Sequence, residues 1–491
     1  MFRKKMKGLR GVQSTHRNHH EVIGTCRMGK LYPVFCRIVP PRTKLNIKQA
    51  IDIRLEPTIR PLQHTITASL HTWKVPLRLL WRNSANADDN FVSYITNPDS
   101  NYQPPYIGVQ PERSNPLNLS STVLDYLGYP IDTRFTAGGN PGVQNYSELR
   151  ASAFPLRAYM MVYDTFYRHQ HYIGTIFKNN SPQLNGGLWN ADVPGDDDQL
   201  MYAIRKRCWP ADDYFMRVLP SPQKGGAVQI PQAVGGNIPS VRDLTLAYQL
   251  QGFREQQNIG GSRYNEHLRT HFGCAPRDET LQLPQYLGGG KGYVSMPEVV
   301  QTSQTTVGSG GSPQANRAGL GRALIASNEI NHFFDEDCVV ITLMSIMPKA
   351  TYSGGLDKMY RLTTLTDFIL PEFNFLGDDP VLRQELRTTT PGEALRTVLG
   401  FVPRNEHHRH IRSYYCGEMR PNAPVDQAFW HLGRDTTEVI SINRDFVECN
   451  PDEDRVFAVP SRDTVVYHCY NMVTASLPLP KSGMAKFTDH K

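Results

Sequence analysis

A glycine-rich stretch around a lysine, GGGKG in residues 288 to 292, is the first candidate for chemistry in this sequence. In a phosphate-binding loop, backbone amides cradle the phosphates, a Gly-Lys pair reaches the terminal ones and a hydroxyl holds magnesium. Gly290 and Lys291 fit that pair, but the first glycine position is Gln285 and the hydroxyl position is Gly292. The pattern therefore predicts a plain glycine loop without bound nucleotide, and a nucleotide-dependent enzyme that uses Lys291 stays an alternative.

Three histidines, His407, His408 and His410, stand together in the segment NEHHRHIRSYY. The spacing of His407 and His410 suits a metal on a helix, but no further ligand follows at a suitable distance. We therefore predict a polar strand or loop, with no metal. The acidic runs at 194–199 and 450–455 lack the other positions of a calcium loop and are typical of solvated turns. None of the motifs G-x-S-x-G, H-E-x-x-H and G-x-G-x-x-G is present, so the sequence nominates neither a catalytic residue nor a cofactor.

The basic residues are concentrated at the N-terminus. Residues 1–48 hold twelve Lys or Arg and one acid, Glu21, whereas the rest of the chain holds 41 basic and 45 acidic residues. A basic arm on a nearly neutral body is typical of proteins that bind nucleic acid, although a solvated, disordered tail is the alternative. Phe2 is the one aromatic residue in the first twenty, so phosphate contacts rather than base stacking are expected. The predicted DNA-binding residues are Arg3, Lys4, Lys5, Lys7, Arg10 and Arg17.

Composition favours a β-rich protein with many turns, since the 491 residues include 38 Gly and 36 Pro. No apolar run approaches the ~18 residues that span a membrane, and the basic N-terminus lacks the apolar region of a signal peptide. The eight cysteines are scattered without zinc-ligand spacing. They are expected to be reduced and mostly buried, which favours a cytoplasmic origin.

Hydrophobic periodicity predicts strands near both ends of the chain. Residues 44–55 alternate with period two, 64–77 form a second β-type run, 337–347 are almost continuously apolar, and 464–473 form the last strand. Helices are predicted at 153–169 and 238–256 as core-packing or surface-covering elements, the second with an apolar face of Leu244, Ala247 and Leu250. Strands at both ends with long intervening loops suit a β-sandwich whose inserts build an outer surface.

Ordered blocks along the chain resemble the major capsid proteins of microviruses, the small icosahedral single-stranded DNA phages, and most of all their gokushovirus-like branch. The resemblance extends over about residues 17 to 475. The blocks are MGKLYPV, LHTWKVPLRLLW, DYLGYP, AFPLRAYMMVYDTFYR, DYFMRVLPSPQKG, SVRDLTLAYQLQGFRE, GGSRYNEHLRTHFG with RDETLQLPQYLGGGKGYVSMPEVVQTS, TYSGGLDKMY, DFILPEFNFLGDDPVL and NPDEDRVFAV.

The resemblance implies a mainly β fold, an eight-stranded viral jelly roll with long loop insertions containing a few helices. It implies a structural protein rather than an enzyme, with sixty copies in a T=1 shell around circular single-stranded DNA. The implied partners are other copies of the chain, the genome, a small basic DNA-binding virion protein, a pilot protein and a scaffolding protein, with no membrane. The protein would be made and assembled in the bacterial host cytoplasm and reside in the virion.

We expect a basic arm at residues 1–30, a jelly-roll domain at 31–475 and a tail at 476–491. On this interpretation the glycine stretch is a shell-building loop. The family's long insertion after the LPxPQ block is absent here, where residues 225–239 alone precede the helix, so a prominent three-fold spike is not expected. The alternative from another class is a cellular nucleic-acid-binding scaffold protein.

Overall fold

The structure, a computed structural model, describes most of the chain between residues 13 and 479. The described residues are 13–83, 86, 88–97, 101–108, 122–129, 150–177, 184–190, 199–225, 241–261, 263–278, 280–300, 302, 317–373, 376–388, 393–420, 423, 425, 427–436 and 439–479.

Sixteen strands lie in these residues, and most of them belong to two antiparallel sheets. The strands are β1 Ser14–Arg17, β2 His20–Cys26, β3 Tyr32–Val39, β4 Thr43–Leu55, β5 Ile66–Pro76, β6 Tyr106–Gly108, β7 Leu188–Asn190, β8 Gln285–Tyr293, β9 Glu298–Val300, β10 Arg317–Gly319, β11 Arg322–Ala326, β12 Ile330–Phe334, β13 Cys338–Pro348, β14 Asp379–Leu382, β15 Val398–Val402 and β16 Val465–Leu477.

Sheet one is built around β16 and β4, which pair with each other. β1 and β2 both pair with the other edge of β16, and β11 and β12 both pair with the other edge of β4. Sheet two has the order β3-β13-β5-β8. Three short pairs lie outside these sheets: β9 with β10, β14 with β15, and the parallel pair β6 with β7.

Nine α-helices occur in the described residues, and six of them have only four to six residues. The helices are α1 Leu77–Leu80, α2 Phe91–Thr96, α3 Val123–Tyr126, α4 Phe154–Val162, α5 Val241–Gly260, α6 Tyr264–Phe272, α7 Arg383–Leu386, α8 Glu406–Arg409 and α9 Arg444–Val447. A π-helical turn, Tyr163–Tyr167, continues α4, and several 3-10 turns lie in the long connections. None of the helices in the described ranges has the length and apolar character that a membrane span requires.

The two sheets pack face to face and form a β-sandwich. The predicted alternation of β4 is confirmed, because its residues at odd positions from Leu45 to Leu55 are all buried. From sheet one, Ile51 and Tyr467 meet Leu70 and Ile346 of sheet two in one apolar cluster. The burial of alternate side chains from both sheets, at roughly 25 cal/mol per Å² of apolar area, is the main stabilising contribution of this core.

Sheet two is covered on both faces, as the apolar run at 337–347 predicted. Val340 of β13 points into the sandwich, whereas Val339 and Ile341 point to the other side. There they pack in a second cluster with α4, which is buried along its whole length and includes Tyr159. The Tyr159 hydroxyl donates to the Leu31 carbonyl oxygen at 2.9 Å and ties this helix to the start of β3.

Long connections after β5 and after β13 form a further apolar cluster beside the sandwich. This cluster combines distant segments, including Phe215, Tyr352 and Phe446. The Arg434 guanidinium lies 4.0 Å from the centre of the Phe446 ring and donates to the Tyr352 hydroxyl at 3.1 Å. The inserts therefore have a core of their own.

The glycine stretch at 288–292 is a strand, so the prediction of a loop is wrong. β8 pairs with β5 at the edge of sheet two, with Leu70 opposite Gly290. A Cβ atom on Gly290 would lie 2.4 Å from the Ala326 carbonyl oxygen, and one on Gly292 would lie 2.8 Å from Ile325 Cγ1. Both neighbours belong to β11 of sheet one. The glycines are needed because the two sheets approach closely at this edge of the sandwich.

Both chain ends contribute to sheet one. β1 and β2 lie within residues 1–30, the segment that the sequence analysis assigned to the arm, and β16 extends to Leu477, two residues into the predicted tail. All eight cysteines are unpaired, and Cys274 and Cys416 are exposed. The second predicted helix forms as α5, but Leu244 and Leu250 of its predicted apolar face are exposed.

Candidate nucleic-acid interface

The predicted DNA-binding residues divide between undescribed and described parts of the chain. Arg3, Lys4, Lys5, Lys7 and Arg10 lie outside the described residues. Arg17 is the last residue of β1, is exposed, and pairs in register with Thr474 of β16. The basic N-terminus therefore joins the body at the β1 edge of sheet one.

The outer face of sheet one carries two more cations close to Arg17. Successive side chains of a strand point to opposite faces, and because Leu45 and Ile47 are buried, Lys44 and Lys48 point outward and are exposed. The register aligns Arg17 with Thr474 and Thr474 with Asn46, which lies midway between the two lysines. Strand spacing and rise place the three cations within roughly 14 Å of one another. We call them the basic cluster.

The basic cluster is not neutralised within the described part of the chain. Arg17, Lys44 and Lys48 form no ion pair there. Glu329 also lies at this end of the sheet, where it accepts a hydrogen bond from Asn46 at 2.5 Å. Glu329 offsets one of the three positive charges, and the remaining positive charge on an exposed surface attracts anions, most strongly at low salt.

The opposite end of the same face is charge-balanced. Asp52 accepts hydrogen bonds from Arg322 at 3.1 Å and from Arg54 at 3.3 Å. Burial raises the pKa of Asp52 and these hydrogen bonds lower it, and the lowering prevails. His468 lies 3.1 Å from Glu21. The positive potential of sheet one is therefore concentrated at the end where the arm enters.

Two exposed aromatic side chains lie on the same face as the basic cluster. Phe333 of β12 is opposite Lys44, and Tyr470 of β16 is opposite Ala50. Phe333 has half of its surface exposed, and Tyr470 is exposed too. Aromatic rings beside cations can stack on unpaired bases, so this face offers single strands both a phosphate contact and an aromatic surface.

The sequence pattern alone did not predict Lys44, Lys48, Phe333 and Tyr470 as parts of this surface. The alternation of 44–55 predicted which side of β4 is buried, and it therefore contained the signal that both lysines point outward. What it lacked was the pairing of β4 with β16 and β12, strands that lie hundreds of residues away in the sequence.

Lys291 is exposed on β8 and faces a cleft of about 620 Å³ on the outer face of sheet two. The cleft also includes Arg207, but Asp212 and Asp213 line it and lower its positive potential. The glycines beside Lys291 are hydrogen-bonded within a sheet. Their amides therefore do not form the open cradle that a phosphate-binding loop requires.

The three histidines lie at a short helix, α8, rather than in the predicted strand or loop. Burial, followed by the neighbouring His408 and Lys358, lowers the pKa of His407 to about 4. The adjacent Glu406 carboxylate is occupied by Arg217 at 3.1 Å and Arg409 at 2.8 Å. Among the described residues, no group of three or more His, Cys, Asp or Glu is arranged to hold a metal.

Comparison with known proteins identifies relatives along almost the whole chain. The family model described as "Capsid protein (F protein)" matches residues 5–242 and 238–485. The protein "Capsid protein VP1" of Bdellovibrio phage phiMH2K is 26% identical, with 89% of this chain and 88% of the relative covered. Its namesake in Chlamydia phage 1 is 24% identical over 95% and 94% of the two chains. A third, from Spiroplasma virus 4, is 27% identical over about half of each chain, 49% and 44%.

Proposed function

This chain belongs to the phage capsid protein (F protein) family, and from that premise we propose that sixty copies of it close into a T=1 icosahedral shell around a circular single-stranded DNA genome. The chain is a structural capsid protein and a component of the virion, and capsid proteins of this kind assemble with copies of themselves. We propose beyond this the number of copies, the nature of the genome and the surface of the chain that faces it.

We propose that the sandwich is an eight-stranded jelly roll, and the strand order supports this. We count β1 and β2 as one interrupted strand, and β11 and β12 as another. Each of the two sheets then has four strands, and the sandwich has eight. Numbered along the chain, sheet one has the order 1-8-3-6 and sheet two the order 2-7-4-5. Two interlocked Greek keys would give this order, and it therefore supports the proposed jelly roll.

The outer face of sheet one faces the genome in this proposal, and the basic cluster is the observation that carries it. Sheet two is covered on its outer side by α4 and the inserts, whereas the outer face of sheet one is exposed and basic at the end where the arm joins it. The cluster and the arm residues Arg3, Lys4, Lys5, Lys7 and Arg10 would form one continuous phosphate-binding surface.

The proposed organisation keeps a basic arm at residues 1–30, a jelly-roll body at 31–475 and a tail at 476–491, with β1 and β2 attaching the arm to sheet one. A small basic virion protein would share the neutralisation of DNA, and a pilot protein and a scaffolding protein would complete the virion and assist assembly in the bacterial host cytoplasm. These partners rest on the family resemblance, and no membrane takes part.

The experiment is to examine the purified chain and particles from infected cells by sedimentation and negative-stain microscopy. We expect uniform, small icosahedral particles in which this chain predominates, and nuclease-protected single-stranded DNA inside them. A stable monomer that forms no particles in the presence of the other virion proteins would contradict the proposal. That outcome would favour the alternative of a cellular nucleic-acid-binding scaffold protein.

A further inference from the structure

The long helix α5 has one side that is covered along only half of its length. Leu244, Ala247, Gln251, Arg254 and Asn258 follow one another at intervals of three and four, so they lie on the same side of the helix. Over the C-terminal half this side packs on the body. The Asn258 amide is buried and donates to the Ser221 carbonyl oxygen at 2.7 Å.

The N-terminal half of α5 extends beyond this contact with its apolar side chains exposed. Leu244 is 51% exposed, and Tyr248, one turn further along the same side, is 74% exposed. Arg242, Thr245 and Gln249 lie on the opposite, polar side of the same turns. This half is therefore amphipathic, and no described residue buries its apolar side.

The anchoring of α5 holds the exposed half in a defined position. Phe253 stacks on His271 of α6 with ring centres 4.8 Å apart, so the two helices form a hairpin. Arg263, at the start of α6, donates to the Asp164 carbonyl oxygen at 3.0 Å and thereby ties the hairpin to the π-helical turn after α4. A helix fixed in this way presents a preformed surface, which lowers the entropic cost of binding.

We propose that the apolar side of the N-terminal half of α5 packs on a neighbouring copy of this chain in the shell. The proposal rests on the shell function, which requires each copy to contact others through surfaces that are exposed in the single chain. The same side of one helix would then be buried by its own chain at one end and by the neighbour at the other.

The dimensions of the exposed surface fit a contact between subunits. Ten helical residues extend about 15 Å. Exposed apolar side chains that are grouped on one side of a surface helix mark interaction sites.

The test compares thiol accessibility in particles and in dissociated subunits. Leu244→Cys places a thiol on the apolar side, and Gln249→Cys places one on the polar side of the same helix as a control. Both are made with Cys274→Ser and Cys416→Ser, which remove the two exposed native thiols. We expect a maleimide reagent to label position 244 in subunits but at least tenfold more slowly in particles, and position 249 at similar rates in both.

Equal labelling rates of position 244 in particles and subunits would overturn the inference and leave the shell function intact. Failure of the parent chain to form particles would instead overturn the shell function on which the inference rests. A photoactivatable cross-linker on position 244 identifies the occupant. A product of two chains supports the inference. A product within one chain, for example with residues 226–240, or with a different virion protein overturns it.

Discussion

At the scale of single residues, Gly290 allows the two sheets to approach closely because glycine has no side chain. Gly290→Ala would place a methyl group 2.4 Å from the Ala326 carbonyl oxygen, which belongs to the backbone of the facing sheet and cannot rotate away. We expect this change to destabilise the protein by about 1–3 kcal/mol through overpacking. Thermal unfolding of the subunit measures the loss.

Gly252 is the matched control for Gly290. It lies in α5, and an added Cβ there would meet no atom within 4 Å. Gly252→Ala should leave stability unchanged or raise it by up to about 1 kcal/mol, because Ala favours the helix. Equal and small effects of both substitutions would contradict the close sheet contact at Gly290.

His71 makes stability depend on pH. Its Nδ1 lies 2.6 Å from the Tyr167 hydroxyl, and burial, followed by the charge of Arg207, lowers its pKa to about 4. The unfolded chain protonates this histidine near pH 6.5. Its contribution to stability is therefore complete above pH 6.5 and is lost as the pH falls towards 4.

His71→Gln removes this titration. Between pH 7 and pH 4.5 the variant should lose about 1–2 kcal/mol less stability than the parent, a value reduced for partial solvent screening. The measurement is denaturant unfolding at both pH values, with His19→Gln, an exposed position, as the comparison. If His71→Gln and the parent lose stability in parallel, the histidine does not act in this way.

At the scale of elements, the outer face of β4 should set part of the salt dependence of DNA binding. Lys44→Gln with Lys48→Gln removes two cations that have no ion-pair partner in the described residues. Each phosphate that is no longer neutralised reduces the log–log salt slope for single strands by about 0.7, so the slope should fall by up to ~1.4. Titration of subunits with a single-stranded oligonucleotide at several salt concentrations gives this slope.

The control for β4 is a cation of the same sheet that is already paired. Arg322 contacts Asp52 at 3.1 Å, so Arg322→Gln should leave the slope unchanged. If the control lowers the slope as much as the lysine variant does, the binding surface is not confined to the basic cluster.

Elements with a local pattern were predictable, and elements defined by distant contacts were not. The alternation of β4 and the continuous apolar run of β13 each follow from a few consecutive residues, and both strands form as predicted. β8 does not carry such a pattern. Its glycines have low strand propensity and are explained by a contact with β11, more than thirty residues away.

The candidate site was predicted in part for the same reason. The charge of the arm is visible in the sequence, and so is the alternation that turns Lys44 and Lys48 outward. That Arg17 lies beside these lysines depends on β16, which pairs with both β1 and β4. For α5 the helix was predicted correctly, but the pattern could not show whether its apolar side is covered by the same chain. In the N-terminal half that side is exposed.

At the scale of the whole molecule, β1 attaches the basic N-terminus to sheet one, and five of the six predicted DNA-binding residues precede this strand. Ser14 to Arg17 pair with Thr474 to Leu477 and cover one edge of β16. A deletion of residues 2–20 would therefore remove part of sheet one and expose a strand edge, which favours aggregation. A deletion of residues 2–12 removes five of the six predicted DNA-binding cations and leaves β1 and β2 in the chain.

We expect the chain lacking residues 2–12 to assemble into particles that hold DNA more weakly. The six cations of the arm and β1 should contribute a salt slope no steeper than about −4, and removal of five of them should reduce the slope by up to ~3.5. The shell should still close, because the deletion leaves β1, β2 and the other strands of the sandwich in place. Particle yield, DNA content and the salt concentration that releases DNA measure these effects. Unchanged DNA content and particle stability, or an arm on the outer surface in a map of the virion, would show that the charge serves another purpose.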